Sequence, residues 1–183
     1  DEDIIIAGDN GKAIRFHEND IRLMGRTAAG VKGFNTDGGK VVGMALSSEG
    51  DTLFALSENG FGKRSYLSDY RLTNRGGKGV RTINVTDKTG PLVALQAVSG
   101  DEDAMIVTSN GQMIRVHLQD ISIYSRNTQG ISVIRTGEND KVLRVTLTEH
   151  EDDSEDTPIP AETSESEKAE PEKTAEEAEK QPA

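Results

Sequence analysis

Apolar residues along this chain recur in short runs rather than at helical spacing. Each run, Ile4 to Ile6, Leu53 to Leu56 and Met105 to Val107, is followed by Asn-Gly and then by an alternating stretch such as Ala13-Ile14-Arg15-Phe16. Such runs broken by Asn-Gly predict antiparallel hairpins, and the pair itself points to a type I′ turn. A third short strand is expected after a later glycine, over 31–34, 80–85 and 131–134, and a fourth over 41–46, 92–98 and 142–147.

The units are copies of one another. GKAIRFHENDIRLMGRTAAGVKGF (11–34), GFGKRSYLSDYRLTNRGGKGVRTI (60–83) and GQMIRVHLQDISIYSRNTQGISVI (111–134) are offset by 49 and 51 residues. The phase holds at Asn10, Asn59 and Asn110, at Arg15, Arg64 and Arg115, at Asp20, Asp69 and Asp120, at Arg26, Arg75 and Arg126, and at Gly30, Gly79 and Gly130. About four strands in a repeat of roughly 40 to 50 residues is the arithmetic of a propeller blade. The expected fold is therefore all-β and propeller-like, with blades over 1–49, 50–99 and 100–148. A helical solenoid is disfavoured by this pattern, because glycines at 25, 30 and 33, or at 76, 77 and 79, interrupt each unit and no 3.6-residue period runs through it.

Three blades do not close a ring, so sheet faces at the ends are expected to stay exposed. Asp1-Glu2-Asp3 matches Asp101-Glu102-Asp103 in register, and the chain starts without Met; both predict a piece of a longer repeat protein.

Charge divides the chain a second time. Of 32 acids and 21 bases in 183 residues, the segment 149–183 holds 14 acids and 3 bases, a charge of −11, and residues 1–148 are neutral. All 19 glycines precede that segment and four of the five prolines lie within it, so 149–183 reads as a disordered acidic tail. Within the neutral part, the windows 11–35, 60–84 and 111–135 carry +10 and the other 73 residues −10. In-phase repeats superpose these bases into one stripe along a rim: Arg15, Arg22, Arg26, Lys32, Lys63, Arg64, Arg71, Arg75, Lys78, Arg81, Arg115, Arg126 and Arg135. A curved basic stripe suits a bent polyanion, and these residues are the candidate nucleic-acid contacts. The tail, opposite in sign, is positioned in sequence to compete for the stripe or simply to keep the chain soluble.

Other chemistry finds little support. No cysteine is present, which removes disulfides, thiolate metal sites and thiol nucleophiles and fits a cytoplasmic protein. No apolar run approaches the ~18 residues that span a bilayer, so no membrane is expected. Arg75-Gly76-Gly77-Lys78-Gly79 is glycine-rich but lacks the Walker A pattern. His17 and His117 are equivalent positions with Tyr66 at the third, and read as ordinary strand residues; His150 opens the tail with no second ligand nearby in sequence. No catalytic set and no metal cluster is expected. A protein-interaction propeller remains the alternative from another class.

The segments IRLMGRTAAGVKGF, GKRSYLSDYRLTNRGGKGVRTINV and ISIYSRNTQGISVIRT closely resemble the C-terminal domain of the DNA gyrase A subunit, over about residues 1–148. The resemblance implies a β-pinwheel, a propeller relative whose blades exchange strands, with this piece as its last three blades. It implies double-stranded DNA as partner, wrapped around the basic rim so that an ATP-dependent type II topoisomerase introduces negative supercoils. It further implies a catalytic tyrosine outside this chain, no cofactor here but ATP and Mg2+ in the holoenzyme, and the gyrase B subunit in an A2B2 heterotetramer. The family's box, Gln-Arg-Arg-Gly-Gly-Lys-Gly, belongs on the first blade, and Thr73-Asn74-Arg75-Gly76-Gly77-Lys78-Gly79 matches five of its seven positions. The topoisomerase IV subunit, with a similar domain, therefore stays as an alternative.

Overall fold

The computed structural model describes residues 1–150; the acidic tail expected over 149–183 lies outside them except for Glu149 and His150. The described strands are β1 (Asp3–Gly8), β2 (Lys12–His17), β3 (Val41–Leu46), β4 (Thr52–Ser57), β5 (Phe61–Tyr66), β6 (Val80–Arg81), β7 (Leu92–Val98), β8 (Asp103–Thr108), β9 (Met113–His117), β10 (Ile131–Ser132) and β11 (Val142–Thr148). They form three antiparallel sheets, in the orders β3-β1-β2-β6, β10-β5-β4-β7 and β11-β8-β9. A 3-10 turn follows the second strand of each repeat, at Glu18–Asp20, Leu67–Asp69 and Leu118–Asp120, and ends on the in-phase aspartate.

The sheets exchange strands, as the resemblance implies. β6 belongs to the second repeat by sequence, yet it pairs with β2 of the first through Lys12↔Arg81 and Ala13↔Val80. β10 of the third repeat pairs likewise with β5 of the second. The strand expected over 31–34 does not form. No strand of the described residues pairs with this segment, which bonds instead to the loop of the next repeat, Gly76 N donating to Gly33 O at 2.5 Å. The third sheet has three strands, and nothing among the described residues pairs to the outer side of β9.

The hairpin turns differ from the expected type I′. Among the described residues only Asp37 and Asn139 are non-glycines with positive φ, so Asn10, Asn59 and Asn110 are not left-handed, while Gly11, Gly60 and Gly111 are, at 73°, 79° and 81°. Gly11 N, Gly60 N and Gly111 N each donate 3.0 Å to the carbonyl three residues back, which makes a longer turn ending on a left-handed glycine. The asparagine is freed for tertiary work: Asn59 Nδ2 donates to Asp87 O and Lys88 O, tying the turn to the loop that leads into β7. A Cβ on Gly60 would stand 2.5 Å from Ile134 O, because the exchanged segment of the third repeat crosses directly over it.

The cores lie between sheets. Ile5, Ala7, Ala13 and Ala45 of the first sheet pack with Leu53, Ala55, Tyr70, Leu92 and Leu95 of the second repeat. Phe54, Leu56, Ala94 and Val98 pack with Ala104, Ile106, Leu118, Ile121 and Val142 of the third. Every residue of β4 is accordingly buried, since the middle sheet is covered on both faces, whereas β9 has no fully buried residue. The expected exposure at the ends is seen in Met113, 66% exposed, and Leu143, 61% exposed.

Candidate nucleic-acid interface

The thirteen candidate bases separate into distinct environments. Arg15 and Arg64, in phase on β2 and β5, are turned inward as braces between sheets. Arg15 pairs with Asp3 at 2.6 Å and donates through Nη1 to Leu67 O and Tyr70 O of the next repeat. Arg64, 8% exposed, donates through Nε to Ile121 O at 2.8 Å, the position equivalent to Tyr70. Arg115 holds the same phase on β9, where it bonds Asp103 at 2.6 Å and Glu149 O. Lys63 is 0% exposed, and its ammonium donates to Ser125 O at 2.6 Å and to Thr128 Oγ1. A phosphate cannot reach a group so enclosed.

Arg75 and Arg126 stitch neighbouring loops together. Arg75 donates through Nε to Asp20 O and through Nη1 to Lys32 O, both in the first repeat. Arg126 donates through Nη1 to Arg81 O of the second repeat, and Asn84 N donates to Thr128 O beside it. The loops 20–33 and 71–81, rich in bases, and the loop 122–131, whose single base is Arg126, are thereby joined edge to edge into one belt. Arg22, Arg26, Lys32, Arg71 and Arg81 are exposed along it, as is Lys78, which pairs with Asp37 at 3.1 Å; Arg135 is exposed too but lies beyond the third loop.

The glycine that ends the second and third loops serves the exchange, whereas a Cβ on Gly30 of the first would meet open space. A Cβ on Gly79 would collide with Ala13 O, and one on Gly130 would collide with Gly62 O, so both loops press their backbone on the preceding sheet. The close approach that glycine opens to a phosphate is occupied here by protein backbone.

Burial, with Arg126 nearby, pushes the Lys63 ammonium down from 10.5 to about 8, against the opposing pull of Asp69. A lysine whose folded pKa is depressed binds its proton more weakly in the folded state, so its charge destabilises the fold below that pKa. Stability is therefore expected to rise as pH increases from about 8 toward 10, by up to ~3 kcal/mol from this group. Chemical denaturation of the parent and of Lys63→Met at pH 7.5 and 10 checks the sign; equal pH dependence in both would place the effect elsewhere.

One grouping escaped the sequence reading. Asp103 on β8, His117 on β9 and His150 after β11 offer ligand atoms within 4.8 Å of one another, where no metal cluster was expected. His117 Nδ1 and His150 Nδ1 each share a hydrogen bond of 2.8 Å with Asp103 Oδ1. Burial alone would raise the Asp103 carboxyl, but bonds to His117, His150 and Arg115 hold it down at about 2. The in-phase match of His17 and His117 pointed to a strand role, and the 32 residues separating His117 from His150 hid their meeting.

No described helix is long and apolar enough to cross a membrane. A family model described as DNA gyrase C-terminal domain, beta-propeller, matches residues 2–48, 51–99 and 102–149. The DNA gyrase A subunit of Ureaplasma parvum is 44% identical over 147 residues, covering 80% of this chain and 18% of that protein. Its counterpart from Staphylococcus aureus MRSA252 is 43% identical over 157 residues, covering 84% and 18%. The chain thus spans under one fifth of the length of these relatives. A solved DNA gyrase A C-terminal domain superposes with a TM-score of 0.72 at 29% identity, covering 80% of this chain and 50% of that one. A topoisomerase IV C-terminal domain gives 0.75 at 22% identity, covering 81% and 47%, a likeness of fold alone. With three consecutive repeats matched and strands exchanged between their sheets, the chain belongs to the DNA gyrase C-terminal domain family.

Proposed function

We propose that this chain binds double-stranded DNA along the belt of loops 20–33, 71–81 and 122–131 and bends it around the rim. The observation that carries this reading is the stitching of the basic loops 20–33 and 71–81 and the adjoining loop 122–131 into one surface by Arg75 and Arg126. Bending 20–30 bp costs about 1–6 kcal/mol, and counterion release from phosphates neutralised by the exposed arginines offsets it. The DNA is held by its phosphates, so sequence preference is weak.

The whole protein, on this reading, is the A subunit of a cytoplasmic, ATP-dependent type II topoisomerase of A2B2 form that introduces negative supercoils. The strand-passage tyrosine lies elsewhere in that enzyme, as do the sites for ATP and Mg2+. This chain's residues supply the curved surface that presents one duplex segment to the passage gate.

Ligation, across a salt series, of nicked circles carrying the complete A subunit tests the proposal. The expected result is salt-steep binding with a positive shift in writhe. Binding without writhe would support the topoisomerase IV reading, and no salt-sensitive binding would leave a protein-interaction propeller.

A further inference from the structure

We infer that Asp103, His117 and His150 form a binding site for a divalent transition ion of the zinc class, placed where the acidic segment leaves the third sheet. The donors come from three separate stretches: β8, β9 and the residue pair after β11. Antiparallel pairing sets Asp103 directly across from His117 on one side and from Thr148 on the other, and this register carries His150 back over the carboxylate. The imidazole rings stand 4.0 Å apart and tilted by 33°, both aimed at one carboxylate oxygen.

The geometry suits an ion. Donors bound to zinc at about 2.0–2.2 Å in a tetrahedron lie roughly 3.2–3.5 Å from each other; here Oδ1 stands 2.8 Å from each Nδ1 and all three atoms lie within 4.8 Å of one another, so these two spacings would open by roughly 0.4–0.7 Å to admit an ion. Without an ion, both imidazoles carry their proton on Nδ1 toward Asp103. An ion would need the proton on Nε2 in each ring and would enter between the two Nδ1 atoms and Oδ1, the oxygen on which both now point, with exposed His150 leaving the fourth position to water. Arg115 Nε holds the other carboxylate oxygen at 2.6 Å and fixes the orientation of Asp103, as outer groups around metal ligands do.

The equivalent hairpins show that the set is particular to this sheet among the described residues. In the first repeat Asp3 binds Arg15, but His17 turns Nδ1 to accept from its own Asn19 N, and Nε2 to Asp1. In the second repeat the positions are Thr52 and Tyr66, which cannot form such a set. Two nitrogens and one carboxylate select zinc, cobalt or nickel over magnesium or calcium, which take oxygen ligands. A bound ion would fasten residues 149 and 150 to the β8–β9 hairpin and so set where the acidic segment starts.

Equilibrium dialysis against Zn2+ in excess Mg2+, performed on the complete protein, tests the site, with His150→Ala and His117→Ala as variants and circular dichroism as the check on folding. The parent is expected to bind one equivalent more than either variant, with affinity at that site weakened at least about tenfold. In the parent, Co2+ in place of Zn2+ should show the intense visible bands of a low-symmetry site, and these should vanish in both variants. Should His117→Ala fail to fold, exposed His150→Ala decides. Equal zinc content in parent and His150→Ala overturns the site, as does loss in His150→Ala with retention in a folded His117→Ala.

Discussion

Replacing Arg64 with alanine is expected to destabilise the fold by about 3 kcal/mol, since charge-assisted hydrogen bonds are worth ~1.5–3 kcal/mol each and their acceptors lose their partner. The guanidinium bonds Ile121 O and Gln119 O of the next repeat, and Gly100 leaves the room it occupies, since a Cβ there would collide with Nη1. The main chain of the same residue continues the join, with Tyr124 N donating to Arg64 O at 2.8 Å. Arg64→Lys is expected to rescue only in part, because a point-like ammonium does not reproduce the planar fork that reaches Ile121 O from Nε and Gln119 O from Nη2. Thermal unfolding should fall by about 6–12 °C, and amide exchange should rise first over residues 118–134. Arg115→Ala should cost less, since Asp103 keeps its bonds to both imidazoles. Equal losses at positions 64 and 115 would refute the brace.

The second large effect concerns DNA. Changing Arg22, Arg26, Arg71 and Arg81 together to glutamine in the complete protein is expected to flatten the salt dependence of binding. Each phosphate no longer neutralised lowers the slope of log K against log[salt] by ~0.9, so the quadruple variant should lose up to about 3.6. All four side chains are exposed on the belt, so thermal stability should stay near that of the parent. Changing Lys63 should behave oppositely, altering stability while leaving the slope nearly unchanged. A slope unaffected by the quadruple variant would remove the belt from the DNA-binding surface.

The repeats could be read from the chain because each copy keeps its glycines, its Asn-Gly pair and its apolar alternation in phase. The fourth strand of each unit, expected over 41–46, 92–98 and 142–147, follows from that pattern almost to the residue. The turn type did not follow from Asn-Gly alone. Asn10 and Asn59 donate to loop carbonyls brought in from 26 to 29 residues away, and in all three turns the positive φ falls on the glycine and not on the asparagine. The missing strand at 31–34 is of the same kind: local sequence supports it, but its partner must come from another sheet.

The candidate surface was legible as a charge pattern and illegible as a set of contacts. Arg15, Lys63 and Arg64 are indistinguishable in sequence from Arg22 or Arg71, since every one is a base in a phased window. Alternation on β5 does not rank them either, because neighbouring Lys63 and Arg64 point to opposite faces and both are buried. The sequence alone determined the repeat, the all-β class and the separation of basic windows from the acidic end, because periodicity and composition are local properties. Which bases face solvent, how Arg75 and Arg126 join three loops into a belt, and how His150 reaches Asp103 were decided by packing sheet against sheet. Those contacts join residues tens of positions apart, and local sequence holds no record of such distances.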